Sequence, residues 1–155
     1  MQYWLLKSEP DAFGIDDLIA MKDQRDHWDG IRNYQARNLM RDQMKAGDEA
    51  FFYHSSCKVP GIVGIVEIVR EAYPDHTAQD PDSKYYDPRA TAKDPRWVMV
   101  DVQFKQKFEQ IITLRALRDN PDLAEMALLR KGSRLSIQPV TGKQWRAINK
   151  MRTSD

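Results

Sequence analysis

One stretch constrains this chain more than any other: Gly61-Ile62-Val63-Gly64-Ile65-Val66-Glu67-Ile68-Val69-Arg70. Six of its ten residues are Ile or Val, whose branching at Cβ favours the extended backbone. Apolar side chains fall on both parities, so neither side of such a strand suits water. The segment therefore belongs in the interior of a sheet.

Further strands are expected at residues 2–7, 49–54, 97–104 and 135–140. Pro10, which has no N–H for a ladder, ends the first. Within 97–104, Val98, Val100, Val102 and Phe104 face one way, and Met99, Asp101 and Gln103 the other. Helices are expected at 15–21, 34–45, 113–119, 121–129 and from 142 onward. In the second, Ala36, Leu39, Met40 and Met44 share a face, and Gly47 supplies a stop. Thr113 caps the third, and Pro121 takes a first-turn position in the fourth. Thr141-Gly142-Lys143-Gln144 has the capping-box form and opens a last helix with Trp145, Ile148 and Met151 inward. Residues 26–33 read as a loop carrying Trp28. Residues 73–96, with four prolines and five aspartates, read as a long surface loop ordered locally by Tyr85 and Tyr86. Strands paired in chain order, without βαβ units, give an α+β or barrel-like fold. The length of 155 residues fits one domain spanning 1–155.

The charge balance sets a limit on function. With 24 Lys+Arg against 23 Asp+Glu, the chain lacks the strong basicity of proteins that coat nucleic acid. Any such binding must rest on how the cations are arranged. No apolar run approaches the roughly 20 residues that cross a bilayer, and Met1-Gln2-Tyr3-Trp4 lacks a leader's basic start. The lone Cys57 cannot form an internal disulfide, so a reducing compartment, cytoplasmic or nuclear, is expected. No membrane contact is expected, and a monomer is.

Familiar catalytic patterns are missing. There is no nucleophile elbow, and Gly142-Lys143 lacks the earlier glycine of a phosphate-binding loop. Gly61 and Gly64 stand alone rather than in a dinucleotide-binding run. His54 and Cys57 form a solitary pair with no second pair to complete a zinc site. Asp80, Asp82 and Asp87 lack the central glycine and closing glutamate of a calcium loop. No metal, cofactor or catalytic residue is expected.

Three features carry what remains. Arg37, Arg41 and Lys45 form one ridge at helical spacing, and Lys143, Arg146 and Lys150 another. They read either as phosphate contacts or as ordinary solvated faces. Trp28, followed by Gly30, Arg32, Asn33 and Gln35, offers a stacking plane with base-edge partners, or else a core plug. Lys7, Ser8 and Glu9 end one strand, and Tyr53, His54 and Ser55 another. Such groups line a mouth or simply form turns.

Taken together, the segments resemble a known family. Residues 3–10 (Tyr-Trp-Leu-Leu-Lys-Ser-Glu-Pro), 28–38 (from Trp-Asp-Gly-Ile-Arg-Asn-Tyr-Gln) and 47–55 (Gly-Asp-Glu-Ala-Phe-Phe-Tyr-His-Ser) are similar to the EVE domain, within the PUA-like superfamily. So are Gly61–Gly64, Glu71–Asp75, Tyr85–Pro88, Pro95–Trp97 and Arg134–Thr141, in the family's order and over about Gln2 to Met151. One departure is Gly14, where the family often has Ser before a helix. The resemblance implies a PUA-like pseudo-barrel of mixed strands flanked by short helices. It also implies a pocket for a modified nucleobase, with Trp28 as aromatic wall and Lys7 with Ser8 as a polar pair. Arg32 and Asn33 would form the motif's turn, and Tyr53, His54 and Ser55 the opposite strand end.

The reading that follows is a non-catalytic domain holding a modified base in that pocket, a modified cytosine in DNA. Hydrogen bonds from Ser8, Asn33 and Ser55 would supply identity, and the two ridges would hold phosphates. One alternative is RNA binding through the same residues. Another is an enzyme acting on a modified nucleotide or small ligand, with Glu9 or His54 as acid–base group.

Overall fold

The computed structural model describes residues 1–132 and 135–152; Arg134 of the last motif lies outside them. Six strands form one sheet: β1 (Tyr3–Ser8), β2 (Arg25–Trp28), β3 (Glu49–His54), β4 (Gly61–Pro74), β5 (Val98–Thr113) and β6 (Ile137–Val140). Their order is β2-β5-β4-β3-β1-β6. The apolar stretch lies in β4, an interior strand between β3 and β5. Among the described residues five α-helices accompany the sheet: α1 (Pro10–Phe13), α2 (Ile15–Ala20), α3 (Tyr34–Asp42), α4 (Leu114–Arg118) and α5 (Gly142–Met151). The result is the small α+β fold expected.

Both faces of the sheet are packed. On the first, Trp4, Leu6, Phe52, Val66 and Val100 meet Ile15 and Leu18 of α2 and Ala36 and Met40 of α3. On the second, Leu5, Phe51, Ile62 and Ile65 meet Leu117 of α4 and Trp145 and Ile148 of α5. Alternate residues of β1 and β3 thus go to opposite cores, as the period-two pleat requires, whereas in β4 a register shift between Ile62 and Gly64 puts Ile62 and Ile65, three apart, in the same core. Each such aliphatic side chain contributes about 1.5–3 kcal/mol when fully buried. Inside the first core the Trp4 indole N–H donates to Asp48 Oδ2 at 3.0 Å. The Asp48 carboxylate also accepts the Gln2 and Lys45 amides.

Several expectations are corrected. β1 and β3 pair in parallel, Tyr3 opposite Glu49, because the chain between them crosses over through α1, α2, β2 and α3. Residues 25–28 are a strand, not a loop, with Trp28 opposite Val100. β5 runs well past residue 104. Its register shifts where Ile65 faces Gln106 and Val66 faces Phe104, so one residue bulges. The bulge turns Phe104 to the first core and Phe108 to the second, which breaks the alternation a sequence reader follows. At this crossing Gly64 is required: a Cβ there would lie 2.3 Å from the Gln106 carbonyl oxygen.

α3 stops at Asp42, with the Gln43 and Met44 amides both bonded to the Leu39 carbonyl, and Lys45 lies beyond it. Residues 121–129 form two separate turns, Pro121–Leu123 and Ala127–Leu129, rather than one helix. Nor is 73–96 a bare surface loop. It closes on its own small core of Ala78, Ala90 and Trp97. There the Trp97 indole N–H donates to Asp87 Oδ2 at 2.7 Å. That bond and the Arg89 amide hold the Asp87 carboxyl down to about 2.

Candidate nucleic-acid interface

Where the ends of β1 and β2 meet α1 and the 75–97 loop, a cavity of about 580 Å³ opens. That size lies inside the roughly 300–1,000 Å³ of small-ligand clefts. Trp28 forms part of its wall. The ring is only 6% exposed and meets Phe52 and Phe13 edge-on, at 5.3 and 6.3 Å. Trp28 therefore serves in both capacities considered from the sequence, as core residue and as cavity wall. Tyr85 contributes a second ring, brought in by the distant loop.

The turn that carries Trp28 into Tyr85 is built with little tolerance. Gly30 has φ of +78°, and a Cβ on it would lie 2.7 Å from the Tyr85 ring. Only glycine meets both demands. Its N–H donates to Asp75 Oδ2 at 3.0 Å, and Arg32 Nη1 donates to the same oxygen at 3.1 Å. Arg32 also donates twice to the Tyr85 carbonyl, at 2.9 and 2.7 Å. Asp75 is fully buried. Burial alone would raise its pKa, but the Thr77 hydroxyl, the Gly30 amide and Arg32 together hold it below the usual carboxylate range. Asp75 and Arg32 thus clamp the Trp28 turn to the Tyr85 loop.

Polar groups edge the cavity. Lys7, Ser8 and Glu9 line it from the end of β1, and Ser136 joins them because its carbonyl accepts the Lys7 amide at 2.9 Å. Burial lowers the Lys7 ammonium pKa. The Ser8 hydroxyl donates to the Phe13 carbonyl at 2.6 Å, which leaves its lone pairs for a ligand. Across the mouth, His27 stands between Asp26 and Asp29, at 3.3 and 3.5 Å. The Asp29 carboxyl is raised, first by burial, against the pull of His27.

Of the residues singled out in the sequence, Lys7, Ser8, Glu9 and Trp28 come together here. The others do not line the cavity. Arg32 is consumed by the clamp. Asn33 caps α3, its Oδ1 accepting the Ala36 amide at 2.9 Å. Tyr53 points into the second core, because it alternates with Phe52 along β3. His54 Nε2 accepts the Ile15 amide at 3.1 Å, and burial lowers its pKa, so it is a neutral structural acceptor. Ser55 bonds through its amide to the Ser8 carbonyl.

The two ridges separate as well. α3 packs on the first core and α5 on the second, so Arg37 and Arg41 lie on the opposite side of the sheet from Lys143, Arg146 and Lys150. Those last three border their own recess beside Asn120 and Asp122. Arg41 pairs with neighbouring Asp42 at 2.7 Å. One flat ligand cannot span both ridges.

Phe13, His27, Asp29 and Tyr85 were missed from the sequence. Tyr85 and Phe13 lie in segments without periodicity, and only the crossing of loops makes them neighbours. Asp29 had one local signal, its place beside Gly30 in a tight turn. Among the described residues no group of three or more His, Cys, Asp or Glu side chains is placed to hold a metal ion.

Known proteins share this architecture. The EVE domain family model matches residues 2–151. A crystal structure of a Pseudomonas syringae protein is 51% identical, covers 97% of this chain and 99% of its own, and has a TM-score of 0.92. Human THYN1, solved in complex with DNA containing 5-methylcytosine, is 42% identical, covers 100% of this chain and 99% of its own, and has a TM-score of 0.95. Thymocyte nuclear protein 1 of Danio rerio is 44% identical over 98% of this chain and 72% of its own length. The cavity at the Trp28 turn thus sits in a fold and sequence shared along nearly the whole chain, and the chain belongs to the EVE domain family.

Proposed function

We propose that this chain is a non-catalytic reader that takes a modified cytosine, extruded from DNA, into the cavity between Trp28 and Tyr85. The observation that carries the reading is an aromatic-walled cavity of about 580 Å³ edged by carboxylates and by the ammonium groups of Lys7 and Lys84. Support comes from human THYN1, whose structure contains DNA with 5-methylcytosine. The edge chemistry fits cytosine. Asp29 or Glu9 accepts from an exocyclic amino group, which thymine lacks, and Lys7 donates to a ring carbonyl. A non-catalytic role agrees with His54, whose Nε2 is already taken by a backbone amide.

Physics divides the labour. Stacking on the two rings supplies about 1–3 kcal/mol. A buried methyl adds only about 0.8 kcal/mol, roughly a fourfold preference. Sharper selectivity needs an unmodified base to leave a void or an unpaired polar group. Titrating wild type, Trp28→Ala and Tyr85→Leu against oligonucleotides with modified or plain cytosine tests the proposal. Wild type should prefer the modified base, and each variant should lose at least about fivefold of that affinity. Equal affinities for both oligonucleotides in all three proteins would refute it. Competition by RNA of the same sequence decides between the two nucleic acids.

A further inference from the structure

The clamp at Arg32 belongs to a longer array that leads out of the cavity. The Arg32 guanidinium carbon stands 5.7 Å from the Tyr85 ring and 5.5 Å from the Trp97 ring. Trp97 stacks on Tyr34 at 4.7 Å with 27° between planes. Arg37 stands 4.6 Å from the Tyr34 ring and 6.0 Å from Trp97. Every step is at most 6.0 Å, so a continuous array of rings and cations runs from the cavity wall to the surface.

The outer end is unlike an ordinary helix face. Tyr34 is 45% exposed although it opens α3 beside a small core. The three separations put Arg37 nearly at right angles to Trp97 as seen from Tyr34. Trp97 and the Arg37 guanidinium both contact the ring, yet 45% of Tyr34 stays exposed. Three guanidinium groups surround it. Arg37 spends its hydrogen bonds on neutral oxygens, two on Asn38 Oδ1 and one on the Arg96 carbonyl. Arg96, at φ +61°, reaches the Tyr34 hydroxyl and the Arg89 carbonyl. Arg89 is 63% exposed. Two carboxylates are close, Asp94 to Arg96 and Asp87 to Arg89, each at 3.3 Å. Three cations against two anions leave a net positive patch around an exposed ring.

We propose that the exposed part of the Tyr34 ring is a second stacking site, for a nucleobase of the same DNA strand adjacent to the extruded one. Arg37, Arg89 and Arg96 take the phosphates between the two sites. This rests on the base-binding reading above. Short single-strand sites of about four nucleotides have the same ingredients, an aromatic platform within a cationic track. The cations that serve DNA are then Arg37 of α3 together with Arg89 and Arg96 of loop 75–97, rather than a whole helical ridge.

The test uses single-stranded DNA with one modified cytosine and 2-aminopurine placed one to three positions to either side. Wild type should quench the fluorophore at one of these positions. Tyr34→Leu should abolish that quenching and weaken binding at least about fivefold, while Tyr34→Phe retains both. Arg96→Gln and Arg89→Gln should each lower the slope of log affinity against log salt by about 0.7. Thermal unfolding establishes that each variant is folded. If Tyr34→Leu does not fold, the quenching position in wild type and the two salt slopes decide the matter. Unchanged quenching and affinity in folded Tyr34→Leu, or unchanged slopes in both arginine variants, would overturn the proposal. A wild type that ignores the modification while Tyr34→Leu still loses quenching would sink the base-pocket reading and leave this site standing.

Discussion

Replacing Asp75 by Asn asks how much the clamp beneath the cavity is worth. Each carboxylate oxygen accepts two hydrogen bonds: Oδ2 from the Gly30 amide and Arg32, Oδ1 from the Thr77 amide and hydroxyl. An asparagine of equal shape must turn its NH2 toward one pair of donors and leaves Arg32 without its anion. Removing one partner of a buried ion pair costs about 3–5 kcal/mol. The Arg32 side chain retains 23% exposure, so water recovers part of this, and about 2–3 kcal/mol is expected. Against a stability of roughly 5–15 kcal/mol the loss is large. Urea unfolding at pH 7 should show the midpoint falling by roughly 1 M or more, given m of about 1–3 kcal/mol/M. The effect has a signature in pH. Asp75 is held below the usual range when folded, so its stabilisation is complete above the unfolded value of about 3.9. It is lost as pH falls through the folded value. Wild type and Asp75→Asn should therefore converge at acid pH. A loss under about 1 kcal/mol at pH 7, or a gap unchanged at pH 3, would refute the reasoning.

Two other substitutions probe the same region. Gly30→Ala should cost about 2–4 kcal/mol, combining a left-handed backbone with a contact 2.7 Å from Tyr85, whereas Gly47→Ala should show the backbone part alone. Chemical denaturation compares them, and only Gly30→Ala should also weaken oligonucleotide binding. His54 is a neutral acceptor whose pKa burial lowers, so its contribution is complete above about 6.5 and declines as pH falls below that. His54→Gln, which keeps an acceptor, should reduce the stability change measured between pH 7.5 and 5.5. An identical pH dependence in both proteins would count against this role.

How much of the molecule can be read without coordinates depends on the range of the interaction. The β4 stretch, the apolar stripe Ala36–Met40 and the Thr141–Gln144 cap each involve residues a few positions apart, and each forms as expected. The sheet order departs from expectation because β1 and β3 pair across a long crossover, whose register no short window contains. The end of β5 was hidden by its bulge, which reverses the alternation that marks a strand.

The site divides in the same way. Lys7, Ser8 and Glu9 were legible as the polar end of β1 and Trp28 as a ring beside a glycine, and all four line the cavity although three strands separate β1 from β2 in the sheet. Arg32 and Asn33 sit in the same turn and have the right chemistry for a ligand. Tertiary structure gives their hydrogen bonds to Asp75, the Tyr85 carbonyl and the start of α3 instead. Tyr53 and His54 are adjacent in sequence, but the pleat sends Tyr53 into the second core and His54 to the Ile15 amide and the Phe52 ring of the first. Local patterning thus determined β1, β3, the interior strand β4, the α3 stripe and the α5 cap, but neither β2, which carries Trp28, nor the full length of β5. Only the packing of the 75–97 loop against the Trp28 turn decided that a cavity exists and that Tyr85 closes it, because a cavity is made by surfaces distant in the chain.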